Sequence, residues 1–243
     1  MYTPVYKTAL RNLSSTMSET EERLRRSFGT VGKRYGYERV GAEFVAYRDF
    51  KVKWNRCYKW IEFYVSDYLM DAPDCVFDAL AEALFSKIAG QEPRPYSQEM
   101  VDWVTRDDFA ETKQPVYVRR SRNITRNPEG EFKDLRSSLR RLKEMGLVGE
   151  CANPYLTWTK EELATTVGYC STLLDTVVIS SIFDSDHIPD CVLDYALYHE
   201  MLVMREGLTG FGKAPEFDMR TEELRYPEWQ ESERWIDRLC LHF

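Results

Sequence analysis

The sequence predicts an α+β protein built around two β-β-α units, on three observations. The hexapeptide Pro-Asp-Cys-Val-x-Asp occurs at 73–78 and again at 189–194, with an apolar residue at x. Each copy follows a strand-like run ending in Val-Ser or Ile-Ser, and each opens a stretch with helical periodicity. The composition, 43% hydrophobic and 14% aromatic over 243 residues, is that of a chain with a packed core rather than a disordered one. A β-β-α unit cannot bury its apolar face alone, so the repeat points to an internal duplication whose copies pack together.

The elements follow in order. Residues 14–28 predict a helix, opened by a Ser18–Glu21 capping box and carrying Leu24 and Phe28 on one face. The glycines of 29–37 predict a loop. Residues 44–54, with Phe50, Val52 and Trp54 alternating, and 58–65, with Ile61, Phe63 and Val65, predict two strands of a hairpin joined at Asn55-Arg56-Cys57. A helix then runs from Pro73 to Gly90, with proline in its first turn and glycine after its last. The polar middle predicts helices at 97–105 and 131–145, the second ended by Gly146. Between them the stretch 115–131 predicts a short strand and then a turn at Asn127-Pro128. The last third reads as a strand at 176–183, a helix at 189–206 and an amphipathic helix at 227–241. Trp54 and Trp158 each fall on an earlier strand of their unit. The expected division is 1–95 for the first helix and first unit, 96–150 for a helical insertion, and 151–243 for the second unit.

The formal net charge of −7 argues against a general nucleic-acid binder. No run of about 18 apolar residues is present and the first residues carry no secretory apolar core, so a cytoplasmic protein without a membrane partner is expected. None of the six cysteines forms a Cys-x-x-Cys pair, so reduced, packed thiols are expected. No glycine-rich phosphate loop and no Ser/His/Asp arrangement stands out. Arg119, Arg120, Arg122 and Arg126 form a basic cluster. It reads first as a solvated face and second as a phosphate-contacting patch, which keeps nucleic acid as an alternative partner.

The chemistry centres on Tyr198-His199-Glu200-Met201-Leu202-Val203. In His-Glu-x-x-His two imidazoles one helical turn apart face one ion, and the glutamate between them acts as general base on the metal-bound water. Here the first His and the Glu are present and the fifth position is Val203. In the order Trp158, Gly168-Tyr169-Cys170, Val177-Val178-Ile179-Ser180 and the run 192–200, the chain from about Pro154 to Phe243 resembles the SprT-like and minigluzincin zinc metallopeptidases. Lys213-Ala214-Pro215-Glu216-Phe217 and the stretch 225–236 look like that family's third-ligand context and closing helix. The resemblance implies a zincin-like fold, an edge strand along a substrate cleft, Glu200 at the general-base position and His199 as a residual metal ligand. It also implies that Val203 and Lys213 stand where the other two ligands belong. With so few donors the expected cofactor is none, and the expected function is that of a catalytically inactive homologue binding a peptide or protein. An active zinc peptidase recruiting Glu216, Glu222 or a cysteine is the alternative. Lys213, or failing it Arg205 or Arg220, is expected to pair with Glu200 in place of the ion's charge.

Overall fold

The computed structural model describes residues 5–92 and 96–243 and divides into two compact units, Met1–Arg106 and Asp107–Phe243. Both are α+β, each with a small three-stranded sheet.

The first unit runs α1 (Val5–Arg34), β1 (Arg39–Val45), β2 (Val52–Cys57), β3 (Trp60–Ser66), a 3-10 turn (Asp67–Leu69), α2 (Asp74–Ile88) and α3 (Gln98–Val104). The central strand is β3, parallel to β1 and antiparallel to β2. Its alternation is the predicted one: Ile61, Phe63 and Val65 are fully buried against the helices. Phe63 meets Phe28 of α1 and Phe85 of α2 edge to face, with ring centroids 4.9 and 5.1 Å away.

Several expectations are corrected here. The first helix begins at Val5, so Ser18 lies inside it rather than capping it, and it continues through Gly29 and Gly32 to Arg34. Val31 extends the buried stripe of Leu24 and Phe28, and that burial outweighs the poor helix propensity of glycine. Gly32 is required by close packing: a Cβ there would lie 2.6 Å from Val40 Cγ2 and 2.7 Å from Phe85 Cζ. The run 44–54 is not one strand; it ends β1, crosses a connection at 46–51 and opens β2. The hairpin turn is Tyr58-Lys59, with Tyr58 at φ +49, so Asn55-Arg56-Cys57 belongs to β2.

The second unit runs α4 (Asp107–Arg120), α5 (Leu135–Glu144), β4 (Tyr155–Trp158), β5 (Gly168–Ser171), a 3-10 turn (Thr172–Leu174), β6 (Thr176–Ile179), a 3-10 turn (Ser181–Phe183), α6 (Asp190–Thr209), α7 (Met219–Glu223) and α8 (Trp229–Arg238). Its central strand is β6, parallel to β4 and antiparallel to β5. The short strand expected in the stretch that begins at Pro115 is helix: α4 runs through Pro115 to Arg120, with Phe109, Tyr117 and Val118 buried. The predicted strand at 176–183 stops at Ile179, where Ser180 turns its side chain onto the Ile182 N–H and starts a 3-10 turn. The cysteines are free, but four of them, Cys57, Cys75, Cys151 and Cys240, are exposed rather than packed.

The two units therefore share one topology: helix, three strands with the last in the middle, a 3-10 turn, then the helix opened by Pro-Asp-Cys-Val-x-Asp. The pattern is β-β-β-α rather than β-β-α, and the sheets are mixed. Both motif helices start where expected, with Pro73 and Pro189 as N-caps. The motif's two aspartates do the same work in each unit, fastening the motif helix to the chain before the sheet. In the first, Asp74 accepts from Arg23 at 2.6 Å and Asp78 accepts from Ser27, both on α1. In the second, Asp190 accepts from Lys133 at 2.8 Å, and Asp194 accepts two bonds of 2.6 Å from Arg141 on α5. Trp54 and Trp158 do not correspond, since Trp54 lies on the second strand of its sheet and Trp158 on the first of its own.

Candidate functional site

Every residue of α6 from Val192 to Glu200 is buried, because α5, α7, α8 and the sheet surround this stretch. A helix turns about 100° per residue, so adjacent side chains leave in different directions. His199 points to α7 and Glu200 to β5.

His199 Nδ1 lies 2.8 Å from Glu223 Oε1. The other oxygen of Glu223 accepts from Arg220 Nη1 at 3.0 Å. Arg220 also pairs with Glu233 on α8, and Glu233 Oε1 accepts from the Tyr195 hydroxyl at 3.0 Å. The network is closed, each member satisfying the next. With its proton on Nδ1 the imidazole donates to Glu223, which leaves Nε2 as an acceptor. Burial holds His199 below its usual range, while Glu223 opposes that shift. The Arg220 guanidinium holds Glu233 low. The ring of Phe243 lies over His199, centroids 4.1 Å apart.

On the other side, Glu200 lies beside the Cys170 thiol of β5. Burial pushes Glu200 from 4.5 up to about 7, and the neighbouring thiol opposes this only partly. Burial and the neighbouring carboxylate push the Cys170 thiol up as well. β5 is one of the two edge strands of its sheet, in the order β4-β6-β5. Gly168 on that strand is forced by its surroundings, since a Cβ would meet the Val178 carbonyl oxygen at 2.5 Å and Glu200 Cγ at 3.4 Å.

The cation expected at Glu200 is elsewhere. Arg205 pairs with Glu222 at 3.3 Å and lies over the ring of Phe217, and Arg220 belongs to the Glu223–Glu233 network. Lys213 is exposed on the turn after α6, where its backbone N–H donates to Leu208 O at 3.0 Å. Among the described contacts Glu200 has a thiol partner and no ion pair. The residue that meets His199 is Glu223, which sequence reasoning passed over. A signal was present: an acidic residue in a short segment between two helical patterns, beyond the Lys213 stretch. Val203 is half-buried one turn past His199 and offers no lone pair. Glu216 is exposed and Glu222 is taken by Arg205 and Arg225.

A catalytic zinc ion takes three protein ligands, such as two His and one Glu, and a water. His199 and Glu223 are two such donors, and Val203, one turn past His199, offers none. Among the described residues no group of three or more His, Cys, Asp or Glu is arranged to hold a metal. The side chains present do not fit the ion.

The basic cluster lies at the far end of α4. Arg119 and Arg120 are in its last turn, where they complement the helix dipole; Arg119, Arg122 and Arg126 are exposed and Arg120 is half-buried. Arg126, at φ +66, donates to the Arg119 carbonyl at 3.1 Å. Among the described residues no helix is long and apolar enough to cross a membrane. Comparison with family models, curated proteins and solved structures finds no match for this chain.

Proposed function

We propose that the second unit is a zincin-like metallopeptidase fold without a working metal site, and that it binds an extended peptide or protein segment along β5. The first unit is then a duplicate of the same β-β-β-α framework, in keeping with the shared topology and the shared duties of the motif aspartates. The carrying observation is the pairing of His199 with Glu223 at 2.8 Å, one turn from Val203. It juxtaposes an imidazole and a carboxylate from two helices, the disposition a His-His-Glu zinc site requires, with the remaining imidazole replaced by a methyl-bearing side chain. Glu200, the general-base position, is turned to β5 and its Cys170 thiol. A sheet's edge strand beside a helix suits main-chain pairing with an extended segment. Of the basic cluster, Arg119 and Arg120 complement the α4 dipole.

The test is constructive. Purified wild-type chain is expected to carry no stoichiometric zinc and to cleave no peptide. Val203→His places a second imidazole on the His199 face, i and i+4 apart, with Glu223 alongside. It is expected to bind one zinc by metal analysis, and Glu223→Gln in that background is expected to abolish binding. Lys213→His, by contrast, is expected to add nothing. Stoichiometric zinc in the wild type, or none in Val203→His, sinks the reading.

A further inference from the structure

Three walls enclose a cavity of about 240 Å³ in the second unit. The second half of α6 gives Met201, Met204, Arg205 and Leu208, the segment from α5 to β4 gives Leu147, and the connection into β6 gives Asp175. His199, Glu200 and Val203 do not line it, so it is separate from the site above. The first unit has a cavity of about 230 Å³ at the same place in its framework. Its α2 wall is Phe85, Ile88 and Ala89, which stand as far from Pro73 as Met201, Met204 and Arg205 stand from Pro189. Its other walls are again the segment before the first strand, at 35–37, and the turn into the central strand, at Tyr58. Tyr58 and Asp175 are both non-glycine residues at positive φ, +49 and +42. The framework therefore makes this cavity twice, and the lining decides what each copy holds.

The second copy carries two polar groups with nothing to bond. The Asp175 carbonyl is used, accepting from Tyr155 N–H at 2.8 Å and from Gln114 Nε2 at 2.9 Å. Its carboxylate makes no hydrogen bond or ion pair among the described residues, and burial raises its pKa with no neighbouring cation to oppose the shift. Arg205 gives Nη1 to Glu222 at 3.3 Å and lays its guanidinium over Phe217, 3.8 Å from the ring centroid. Its other edge, Nε with Nη2, makes no bond, and Nε is the only buried side-chain nitrogen or oxygen among the described residues left without one. Buried polar groups are normally satisfied, so such an exception asks for a partner. No ion pair joins Asp175 to Arg205, which sets the two apart across the cavity.

We propose that this cavity binds a small zwitterion with an apolar body, a dipeptide with apolar side chains. Its ammonium meets Asp175, its carboxylate takes the Nε–Nη2 edge of Arg205, and its side chains lie against Met201, Met204 and Leu208. A guanidinium edge offers two parallel N–H donors, the arrangement a carboxylate accepts. Nη2 is the open end of that edge, and seating the carboxylate on Nε as well takes a small rotation of the side chain. Methionine walls adapt to more than one apolar side chain. The volume lies below the roughly 300–1,000 Å³ of pockets for larger ligands, which suits two residues rather than a longer chain. A fatty acid would leave Asp175 unpaired and an alkylamine would leave Arg205 so; a molecule with both ends satisfies both. The first unit's cavity has no acid in its lining and is expected not to hold one.

A chemical-shift titration of the isotopically labelled full chain with alanyl-leucine tests this. Backbone amides of 147–154 and 201–208 are expected to move, with a Kd of ~1 mM or tighter. N-acetyl-alanyl-leucine and alanyl-leucine amide each remove one charged end, and each is expected to bind about tenfold more weakly or worse. Asp175→Asn keeps the shape and suits a left-handed backbone, and this variant is expected to bind the free and acetylated dipeptides alike. Arg205→Met keeps the apolar contact with Phe217 and is expected to bind the acid and the amide alike. No shifts with alanyl-leucine at about 20 mM, capped dipeptides that bind as well as the free one, or variants that keep full discrimination overturn the proposal. The capped dipeptides on the wild-type chain decide alone should Arg205→Met fail to fold. The zinc test on Val203→His is independent of this one: a chain that gains zinc but ignores the dipeptide keeps the fold reading and loses only this cavity's ligand.

Discussion

Replacing Arg141 by methionine removes both donors from Asp194 while keeping the aliphatic bulk of the side chain. Asp194 is 2% exposed, and its two oxygens each accept from Arg141 at 2.6 Å, so the loss strands a carboxylate inside the core. Breaking a buried pair from one side costs about 3–5 kcal/mol. Arg141 is itself 30% exposed on its side chain, so the lower end, about 3 kcal/mol, is the fitting figure. For a chain of this size that is a fall of roughly 6–12 °C in Tm. Chemical denaturation at pH 7 measures it, with the double variant Arg141→Met, Asp194→Leu as the control. Removing both charges lets apolar surface fill the site and should recover most of the loss. A loss under about 1 kcal/mol, or a double variant no better than the single one, would refute the claim that the second motif aspartate fastens α6 to α5.

Two more outcomes follow from the geometry. Glu200 titrates at about 7 in the fold against an ordinary 4.5, so the folded chain binds the extra proton between those values. Stability from this group is in full below pH 4.5 and is lost as pH rises through 7, a difference of roughly 3 kcal/mol. Glu200→Gln should therefore flatten the decline in denaturation midpoint between pH 5 and 8, and an unchanged slope would remove Glu200 as its source. Gly168→Ala should cost more than Gly32→Ala, because the new methyl meets a sheet carbonyl at 2.5 Å in the first case and movable side-chain atoms in the second. Overpacking of the latter kind is worth about 1–3 kcal/mol, and equal midpoints for the two variants would contradict this ranking.

Much of the framework was legible because it is written in local patterns. The alternation of Ile61, Phe63 and Val65 and the proline-opened helices at 73 and 189 depend on neighbours within a few residues, and both stand as expected. The errors fall where packing across the unit decides. Gly29 and Gly32 read as a loop until the closeness of Val40 and Phe85 shows why a glycine suits that helix. The stretch from Pro115 read as strand, but it is the end of α4, where Tyr117 and Val118 are buried. The parallel pairings of β1 with β3 and β4 with β6 leave no short-range trace, since each passes over an intervening strand.

The site was less legible than the framework for a structural reason. Ten residues after its opening proline, α6 carries His199 and then Glu200; at the same places α2 carries Ala83 and Leu84, with Lys87 opposite Val203. The repeated unit thus forms its sheet, its 3-10 turn and its aspartate fastenings with no buried acid or imidazole at those places. What completes the site lies beyond the repeat: α7 brings Glu223 and Arg220, α8 brings Glu233, and the segment after it brings Phe243. These additions cover His199, and β5 covers Glu200, while Ala83 and Leu84 stay half-buried. Burying an imidazole and a carboxylate opposes folding unless partners offset it, and apolar side chains in the same places would not. The framework does not need them, as the first unit shows. Their cost is understandable if α7, α8 and the segment after them form a binding corner on a scaffold that is already stable. On that view the informative residues for function are those that the repeat does not share.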